Sequence, residues 1–246
     1  MKKDRIFIVI AFFLNTIMMR ADDGTRSGAQ IIKFKDPLVK EICVSLWDKN
    51  GDGELSMEDA AEVTDISNVF YGKKISTFDE FEYFKNVRSL NPHIDEVIPG
   101  FVFVHGAFES CNELLSITLP AQLDTIGYFS FAHCLKLKTV TIPRSVKEIE
   151  HAAFFNCKSL ETIVSLISNP FSIHSDVFGL GEINVTTAWG KYDFLVGRIQ
   201  FQVLRTDILS LPGYTSIYKS AKLYVPDKTK SEYESLLGWK EFMYIV

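Results

Sequence analysis

The sequence has little that would attract nucleic acid or carry out covalent chemistry. Its 26 lysines and arginines are outnumbered by 31 aspartates and glutamates, which gives a net charge of −5. A nucleic-acid-binding protein usually presents a basic field to the phosphates, and this composition does not supply one. The chain also lacks the Gly-x-Ser-x-Gly elbow of hydrolases, the phosphate-binding glycine loop and the Gly-x-Gly-x-x-Gly motif. We therefore predict neither a nucleic-acid partner nor an enzyme.

Histidine is scarce, and its spacing does not suggest a zinc site. The five histidines are His93, His105, His133, His151 and His174. They do not form His-Glu-x-x-His or another common zinc-ligand spacing. We therefore interpret them as surface residues of the repeats described below.

Long apolar runs are missing after the first twenty-one residues. Lys2, Lys3 and Arg5 form a positive start, residues 6–17 are apolar except for Asn15 and Thr16, and Ala21 offers a small residue for cleavage. This order is typical of a secretory signal, and the apolar run is too short to span a bilayer core of about 30 Å. The alternative is a buried strand or helix. We predict that residues 1–21 are a signal peptide, that the protein is exported, and that no transmembrane segment remains after cleavage.

Phenylalanine is abundant, with 20 copies, and many of them recur at a fixed interval. Phe108, Phe131 and Phe154 are 23 residues apart, and Cys, Leu and aliphatic residues follow them at equal offsets. Upstream, Phe84 begins a segment with the same internal spacing, in which Val87 takes the cysteine position. Because one such unit cannot bury its own apolar edge, the units should stack. The alternation around Val140 predicts one short strand per unit and therefore a parallel ladder.

Three of the four cysteines share this interval. They are Cys111, Cys134 and Cys157. An even number of cysteines in an exported protein would suggest disulfides. However, equivalent Cβ atoms in stacked units should lie about 4.8 Å apart and point the same way, whereas a disulfide needs about 3.8 Å and facing bonds. We predict that these cysteines are buried thiols that fill space.

The units resemble the BspA-type leucine-rich repeats of bacterial surface proteins. The pattern Ala-Phe-x-x-Cys-x-x-Leu-x-x-Ile-x-[Ile/Leu]-Pro stands at residues 107–120, and Ser130 replaces the alanine in the second unit. The resemblance covers residues 81–178, with residues 221–246 as a closing cap. It implies a curved solenoid, secreted or at the bacterial cell surface, commonly linked to adhesion or host contact and without catalytic residues.

The predicted fold class is α/β, a short leucine-rich-repeat solenoid with a helical module at each end. The divisions are a signal peptide at 1–21, an EF-hand-like helix-loop-helix at 36–70, repeats at 78–180, an irregular insert at 181–220 and a C-terminal helical cap at 221–246. The insert could meet a ligand, since insertions in repeat proteins often lie on the working face, but irregular packing at a decaying end is favoured.

Residues 48–59 fit the twelve-position EF-hand calcium loop. The candidate calcium ligands are Asp48, Asn50, Asp52, Glu54 through its carbonyl, Ser56 and Asp59. Gly53 provides the sharp turn at position six. Asp59 stands where glutamate is usual, and its shorter side chain should lower the affinity. We predict a structural calcium site; the alternative is a polar turn that binds no ion.

The outward positions of the predicted strands carry hydroxyl groups. They are Ser116, Thr118, Thr139, Thr141 and Thr162. This face suits a protein or glycan ligand, although the same residues are also good exposed strand formers, and both interpretations stay open. The function we expect is binding or adhesion without catalysis. The alternatives are an accessory subunit of a polysaccharide-degrading system and a structural envelope protein.

Overall fold

The computed structural model describes residues 29–98, 101–180, 190–196, 199–204 and 215–246. The predicted signal peptide lies outside these ranges. The α-helices are α1 Pro37–Trp47, α2 Met57–Glu62 and α3 Lys230–Ser235, and short 3-10 helices span Asp79–Tyr83, Ile217–Lys219 and Trp239–Glu241. The strands are β1 Thr77–Phe78, β2 Ser89–Leu90, β3 His93–Ile98, β4 Phe101–His105, β5 Ser116–Ile117, β6 Thr125–Ile126, β7 Thr139–Ile142, β8 Glu148–Ile149, β9 Thr162–Ser165, β10 Gly179–Leu180, β11 Gly190–Val196, β12 Ile199–Leu204, β13 Thr215–Ser216, β14 Lys222–Tyr224 and β15 Tyr244–Ile245.

The first helix is joined to the repeats through its capping residue. Asp36 accepts hydrogen bonds from the backbone N–H groups of Leu38 and Val39 at 2.8 and 3.3 Å, which satisfies two donors at the start of α1. Its second oxygen accepts from the backbone N–H and the hydroxyl of Ser76, both at 2.6 Å. Burial alone would raise the pKa of Asp36, but these hydrogen bonds hold it below its ordinary value. A charged carboxylate therefore ties α1 to the segment before β1.

The second helix begins at the predicted start signal. The Ser56 hydroxyl accepts from the Asp59 N–H at 3.0 Å, and the Asp59 carboxylate accepts from the Ser56 N–H at 3.2 Å. This reciprocal pair is a capping box, and α2 follows directly at Met57.

The repeats contribute strands to two parallel ladders, whereas the alternation of the sequence predicts one strand per unit and a single ladder. In the first ladder, β7 pairs with β9, so that Thr139 lies opposite Thr162 and Val140 opposite Ile163. The same ladder continues from β9 through β14 to β15, and β1 pairs with β5 in a separate two-stranded sheet. The second ladder has the order β2–β6–β8. Along β7 exposed and buried residues alternate, so one face of the ladder lies in the core.

A column of stacked phenylalanines runs beside the ladders. Its members, here called the Phe column, are Phe70, Phe108, Phe131, Phe154 and Phe178, each 0% exposed. Successive ring centroids are 5.3, 5.3, 5.1 and 5.2 Å apart, with interplanar angles of 18°, 5°, 6° and 7°. The predicted alignment of the three central rings is confirmed, and the structure extends it by one ring at each end.

The unit predicted to begin at Phe84 is in the wrong register. Phe70, and not Phe84, stacks on Phe108. Leu90 pairs with Ile126 in the second ladder. The sequence pattern placed Leu90 one strand earlier in the repeat. The physical reason is the antiparallel hairpin β3–β4, which lies between Leu90 and Phe108 and breaks the fixed interval.

The three repeat cysteines are free and buried, which confirms the thiol prediction. Each thiol also donates to the backbone carbonyl of the Phe-column residue one unit earlier. The distances are 3.1 Å from Cys111 to Phe70, 3.2 Å from Cys134 to Phe108 and 3.1 Å from Cys157 to Phe131. Burial raises the pKa of Cys111 and Cys157 to about 12, so the donated proton stays on the sulfur. The cysteines therefore supply hydrogen bonds as well as volume.

One continuous apolar core runs from Ile32 to Ile245. At its N-terminal end, Trp47 of α1 packs edge-on against Phe84 at 5.4 Å. At its C-terminal end, Tyr233 and Trp239 are fully buried. The ends of the stacked units are thus covered by the segments that flank them.

The C-terminal segment, predicted as a helical cap, contributes strands as well as α3. Lys222 in β14 lies opposite Thr162 on one side and Tyr244 of β15 on the other. Of the predicted insert at 181–220, residues 181–189, 197–198 and 205–214 lie outside the described residues. The rest includes β11 and β12, which pair as an antiparallel hairpin, so regular strands occur there.

Left-handed residues that are not glycine recur at the turns of the units. Phe129 and Ala152 have φ of 55° and 54°, and Ser110, His133 and Asn156 have φ of 61°, 61° and 60°. Both sets repeat at the 23-residue interval. The Ser110 N–H donates to the Ala132 carbonyl one unit later, at 2.8 Å, and His133 donates to Phe155 in the same way. Bonds between units thus hold a conformation that is sterically unfavourable for L-residues.

We predict that Ser110→Gly stabilises the protein by about 0.5–1 kcal/mol, because glycine adopts a positive φ without the left-handed penalty of about 1–2 kcal/mol. Ser110→Ala is the matched control, since it removes the same hydroxyl and keeps the Cβ atom. Urea denaturation of the wild type and both variants measures the difference. Equal stability of the two variants would contradict the argument.

The partly buried carboxyl of Glu109 predicts a pH-dependent stability. Burial raises its pKa from 4.5 to about 7, opposed by a hydrogen bond from the Gly106 N–H. Between these values the folded chain holds a proton that the unfolded chain has lost, so stability falls as the pH rises from about 4.5 to about 7 and then levels. We expect Glu109→Gln to reduce this slope in denaturation curves at pH 4, 6 and 8 without removing it, because burial also raises the pKa of Glu150 to about 7. Glu41→Gln, at an exposed position of α1, should keep the slope; a wild-type slope retained by Glu109→Gln would refute the assignment.

Candidate functional site

The polar loop between α1 and α2 is anchored to the core at its second half. Leu55 is fully buried, and its carbonyl accepts from the Ile32 N–H at 2.9 Å. Ile31 and Ser56 form an antiparallel bridge, and the Met57 N–H donates to the Gln30 carbonyl at 2.8 Å. The segment before α1 therefore runs beside the loop, held by one isolated bridge and two backbone hydrogen bonds, and fixes where α2 starts.

The first half of the loop is curled around the carboxylate of Asp48. Its two oxygens accept from the N–H groups of Gly51 and Gly53, at 2.8 and 2.9 Å. Both glycines have positive φ, 72° and 81°, which a residue with a Cβ atom would adopt with strain. The loop thus has the sharp turn that the sequence motif requires at position six.

The next two predicted ligands continue the same turn. The Asn50 side-chain oxygen accepts from the Asp52 N–H at 3.0 Å, and Asp52 accepts from the Glu54 N–H at 2.8 Å. The Glu54 carboxylate pairs with Lys40 at 2.6 Å, so its side chain is directed toward α1. The role assigned to Glu54 uses only its backbone carbonyl, and the ion pair does not compete with it.

The last two predicted ligands form a separate group at the start of α2. The Asp59 carboxylate accepts from the Ser56 hydroxyl at 2.6 Å as well as from its N–H. Within the described residues, ligand atoms of three His, Cys, Asp or Glu side chains come within 4.8 Å of one another at His151, His174 and Asp176, and not in the polar loop. The structure therefore does not gather the predicted calcium ligands around one point, and Ser56 and Asp59 are bonded to each other in the capping box.

The donor set of the loop consists of hard oxygen atoms. Asp48, Asn50, Asp52 and Asp59 offer side-chain oxygens, and Glu54 offers a carbonyl. Calcium takes six to eight such ligands in a flexible arrangement, whereas zinc prefers nitrogen and sulfur. The oxygen atoms of these residues are therefore the kind of ligand that calcium prefers.

The predicted hydroxyl face lies along the outward side of the first ladder and of β5. Thr139 and Thr162 are directly opposed, and Ser116 forms a hydroxyl contact of 2.8 Å with Thr77. Thr118 and Thr141 are exposed. The structure therefore places Thr139, Thr141 and Thr162 on the paired strands β7 and β9 and Ser116 on β5, with Thr118 directly after β5.

Two tyrosines and a lysine extend this face, and the sequence prediction missed them. Lys222 and Tyr224 lie opposite Thr162 and Val164, and Tyr244 follows on β15. Tyr224 is 37% exposed and Tyr244 is 47% exposed. The available signal was the alternation at residues 222–225, which has the same outward and inward pattern as the repeat strands. We call the outward positions of β5, β7, β9, β14 and β15 the strand face.

Comparison with known protein families agrees with the repeat pattern. Residues 103–191 match the BspA type Leucine rich repeat region, in 6 copies. The match covers less than half of the chain and contains the central units of the Phe column. The chain therefore carries a leucine-rich-repeat core of this type, as the sequence pattern predicts. Comparisons with curated proteins and with solved structures give no match.

The described helices were also compared with the dimensions of a bilayer. None of them is long and apolar enough to cross a membrane.

Proposed function

We propose that this chain is an exported binding or adhesion protein of the bacterial cell surface, that it has no catalytic activity, and that the strand face contacts a protein or glycan ligand. The supporting observation is that stacked parallel strands present hydroxyl and phenol groups in register on one exposed face. The BspA-type repeat core supports the same class of function, since such repeats are linked to surface binding.

The chemistry of the strand face suits recognition of a polar surface. Short Ser and Thr side chains lose little conformational freedom when they are immobilised, so their hydrogen bonds are gained at low entropic cost. Tyr224 and Tyr244 add flat apolar area with a hydrogen-bonding tip, which is common in binding surfaces. Lys222, opposite Tyr244 and on the same strand as Tyr224, adds a positive charge. This combination suits a sugar ring or a polar loop better than an apolar helix.

The test is a substitution in the middle of the strand face. We expect Thr141→Arg to weaken binding at least tenfold, because the long charged side chain blocks close approach across β7 and β9. Binding is measured by surface plasmon resonance on immobilised matrix proteins and glycans. Thr125→Arg, on the second ladder, is the matched control and should retain binding. If Thr141→Arg binds as the wild type does, or if both variants lose binding equally, the strand face is not the contact surface.

We further propose that the loop at residues 48–59 holds one calcium ion in a structural role. The residues that would hold it are Asp48, Asn50, Asp52, Glu54, Ser56 and Asp59. Their oxygens fit the ion, and the turn at Gly53 is already formed. A bound ion would join α1 to α2 and to the strand at Ile32. Extracellular calcium modules bind at about 10⁻⁴–10⁻³ M, which suits constant occupancy outside the cell.

Calorimetric titration tests this proposal. The double variant Asp48→Ala, Asp52→Ala should lose the binding heat, because two of the side-chain ligands are removed. Asp59→Glu should bind more tightly, since the longer carboxylate reaches the ion with both oxygens. Asp65→Ala, outside the loop, should titrate as the wild type. Binding heat that survives in the double variant would end the proposal.

A further inference from the structure

Three ligand-bearing side chains from successive units meet at the turn edge of the repeats. His151 and His174 are 23 residues apart, and the repeat interval therefore places them one above the other, with ring centroids 3.4 Å apart. His151 Nδ1 is 3.0 Å from one oxygen of Asp176, and His174 Nδ1 is 3.7 Å from the other. One ligand atom from each residue lies within 4.8 Å of the other two. We call these three residues the His–Asp cluster.

The distances suit a small tetrahedral ion. Zinc bonds to imidazole nitrogen and carboxylate oxygen at about 2.1 Å, so neighbouring ligand atoms around a tetrahedral zinc ion lie about 3.4 Å apart. The two nitrogen-to-oxygen distances in the cluster, 3.0 and 3.7 Å, lie on either side of this value and are measured to the two different oxygens of Asp176. Each histidine nitrogen therefore lies at about the distance from the Asp176 carboxylate that a shared ion requires.

The surroundings of the cluster orient its ligands. Asp176 is only 6% exposed in its side chain, and one of its oxygens also accepts from the Ala152 N–H at 3.4 Å. Tyr128, one unit earlier, stacks parallel to His151 at 5.9 Å and 2°. Ligand orientation by such outer contacts is usual in metal sites. The Asp176 carboxylate is thus held by a backbone hydrogen bond as well as by its contacts with the two imidazole rings.

The cluster is also open to solvent on one side. The His174 side chain is 41% exposed and that of His151 is 21% exposed. An ion could therefore enter from the side of His174 without unfolding of the units. Three protein ligands leave a fourth position for water or for a group of a partner molecule.

We propose that His151, His174 and Asp176 form a zinc-binding site that joins two successive repeat units. The donors are two imidazoles and one carboxylate, a set that favours zinc over the oxygen-seeking calcium ion. The site is separate from the polar loop and belongs to different units of the fold. Zinc bound there would add a cross-link between units that are otherwise held by backbone hydrogen bonds and packing, and would stabilise the folded chain.

The experiment is a zinc titration of the full chain after treatment with a chelator. Calorimetry should show one equivalent of zinc, and thermal unfolding should shift upward with zinc. His174→Ala should lower the affinity at least tenfold and abolish the thermal shift. This substitution is at a partly exposed position, so the fold should be retained, which circular dichroism verifies. Asp176→Asn should also weaken binding, because a neutral amide is a poorer ligand than a carboxylate.

The controls separate this site from other sources of binding. His93→Ala, in the hairpin β3–β4, should bind zinc as the wild type does. The variant Asp48→Ala, Asp52→Ala should also keep its zinc, since the polar loop is not involved. The proposal is overturned if the wild type takes up no zinc, or if His174→Ala retains wild-type affinity. The second result would mean that the His–Asp contacts are only an ion pair and that zinc is held elsewhere, for example by the cysteines.

Discussion

The structure depends on two stacking distances that agree with each other. Strands in a ladder lie about 4.8 Å apart, and the rings of the Phe column are 5.1–5.3 Å apart. Because these spacings nearly match, a ring and a strand can repeat together in every unit without strain. The backbone carbonyl of a ring residue accepts from the N–H three residues later in the same unit, and the thiol of the next unit donates a second hydrogen bond to it. The Phe108 carbonyl, for example, accepts from the Cys111 N–H and from the Cys134 thiol, both at 3.2 Å. The cysteine thus adds a bond between units at the position where the rings stack.

Stacked units leave an open apolar layer at each end, and the flanking segments close both. At the N-terminal side, Asp36 holds the start of α1 against Ser76. Separating the helix from the first unit would break two hydrogen bonds to this carboxylate. At the C-terminal side, the polar groups of two buried aromatic residues have hydrogen-bond partners. The Trp239 ring donates to the Phe171 carbonyl at 2.7 Å, and the Tyr233 hydroxyl donates to the Ile167 carbonyl at 2.9 Å. Large aromatic residues can cover the last layer only because their polar groups find such partners.

The sequence predicted those features that depend on a constant interval and missed those that depend on its interruption. The stacking of Phe131 on Phe154 and the parallel register of β7 and β9 follow from residues 23 positions apart. Phe70 could not be recognised as the first ring, because the hairpin β3–β4 lengthens the chain before Phe108. In the same way, β14 joins β9 across a long stretch of chain, and only the packing of the whole core brings them together. The turn at Gly53 could be predicted because the residues that form it are close together in sequence, and the structure shows this turn.

The interval also explains why the surface chemistry of this protein is arranged in columns. A residue at a turn or an outward strand position stands directly beside its equivalent one unit later, whatever lies between them in sequence. Thr139 meets Thr162 in this way on the strand face, and His151 meets His174 at the turn edge. A motif search of the usual kind compares residues a few positions apart and therefore does not see such pairs. In a repeat protein, candidate ligands are better sought at multiples of the repeat length. One substitution at the position equivalent to an existing histidine in the next unit creates a pair at coordinating distance.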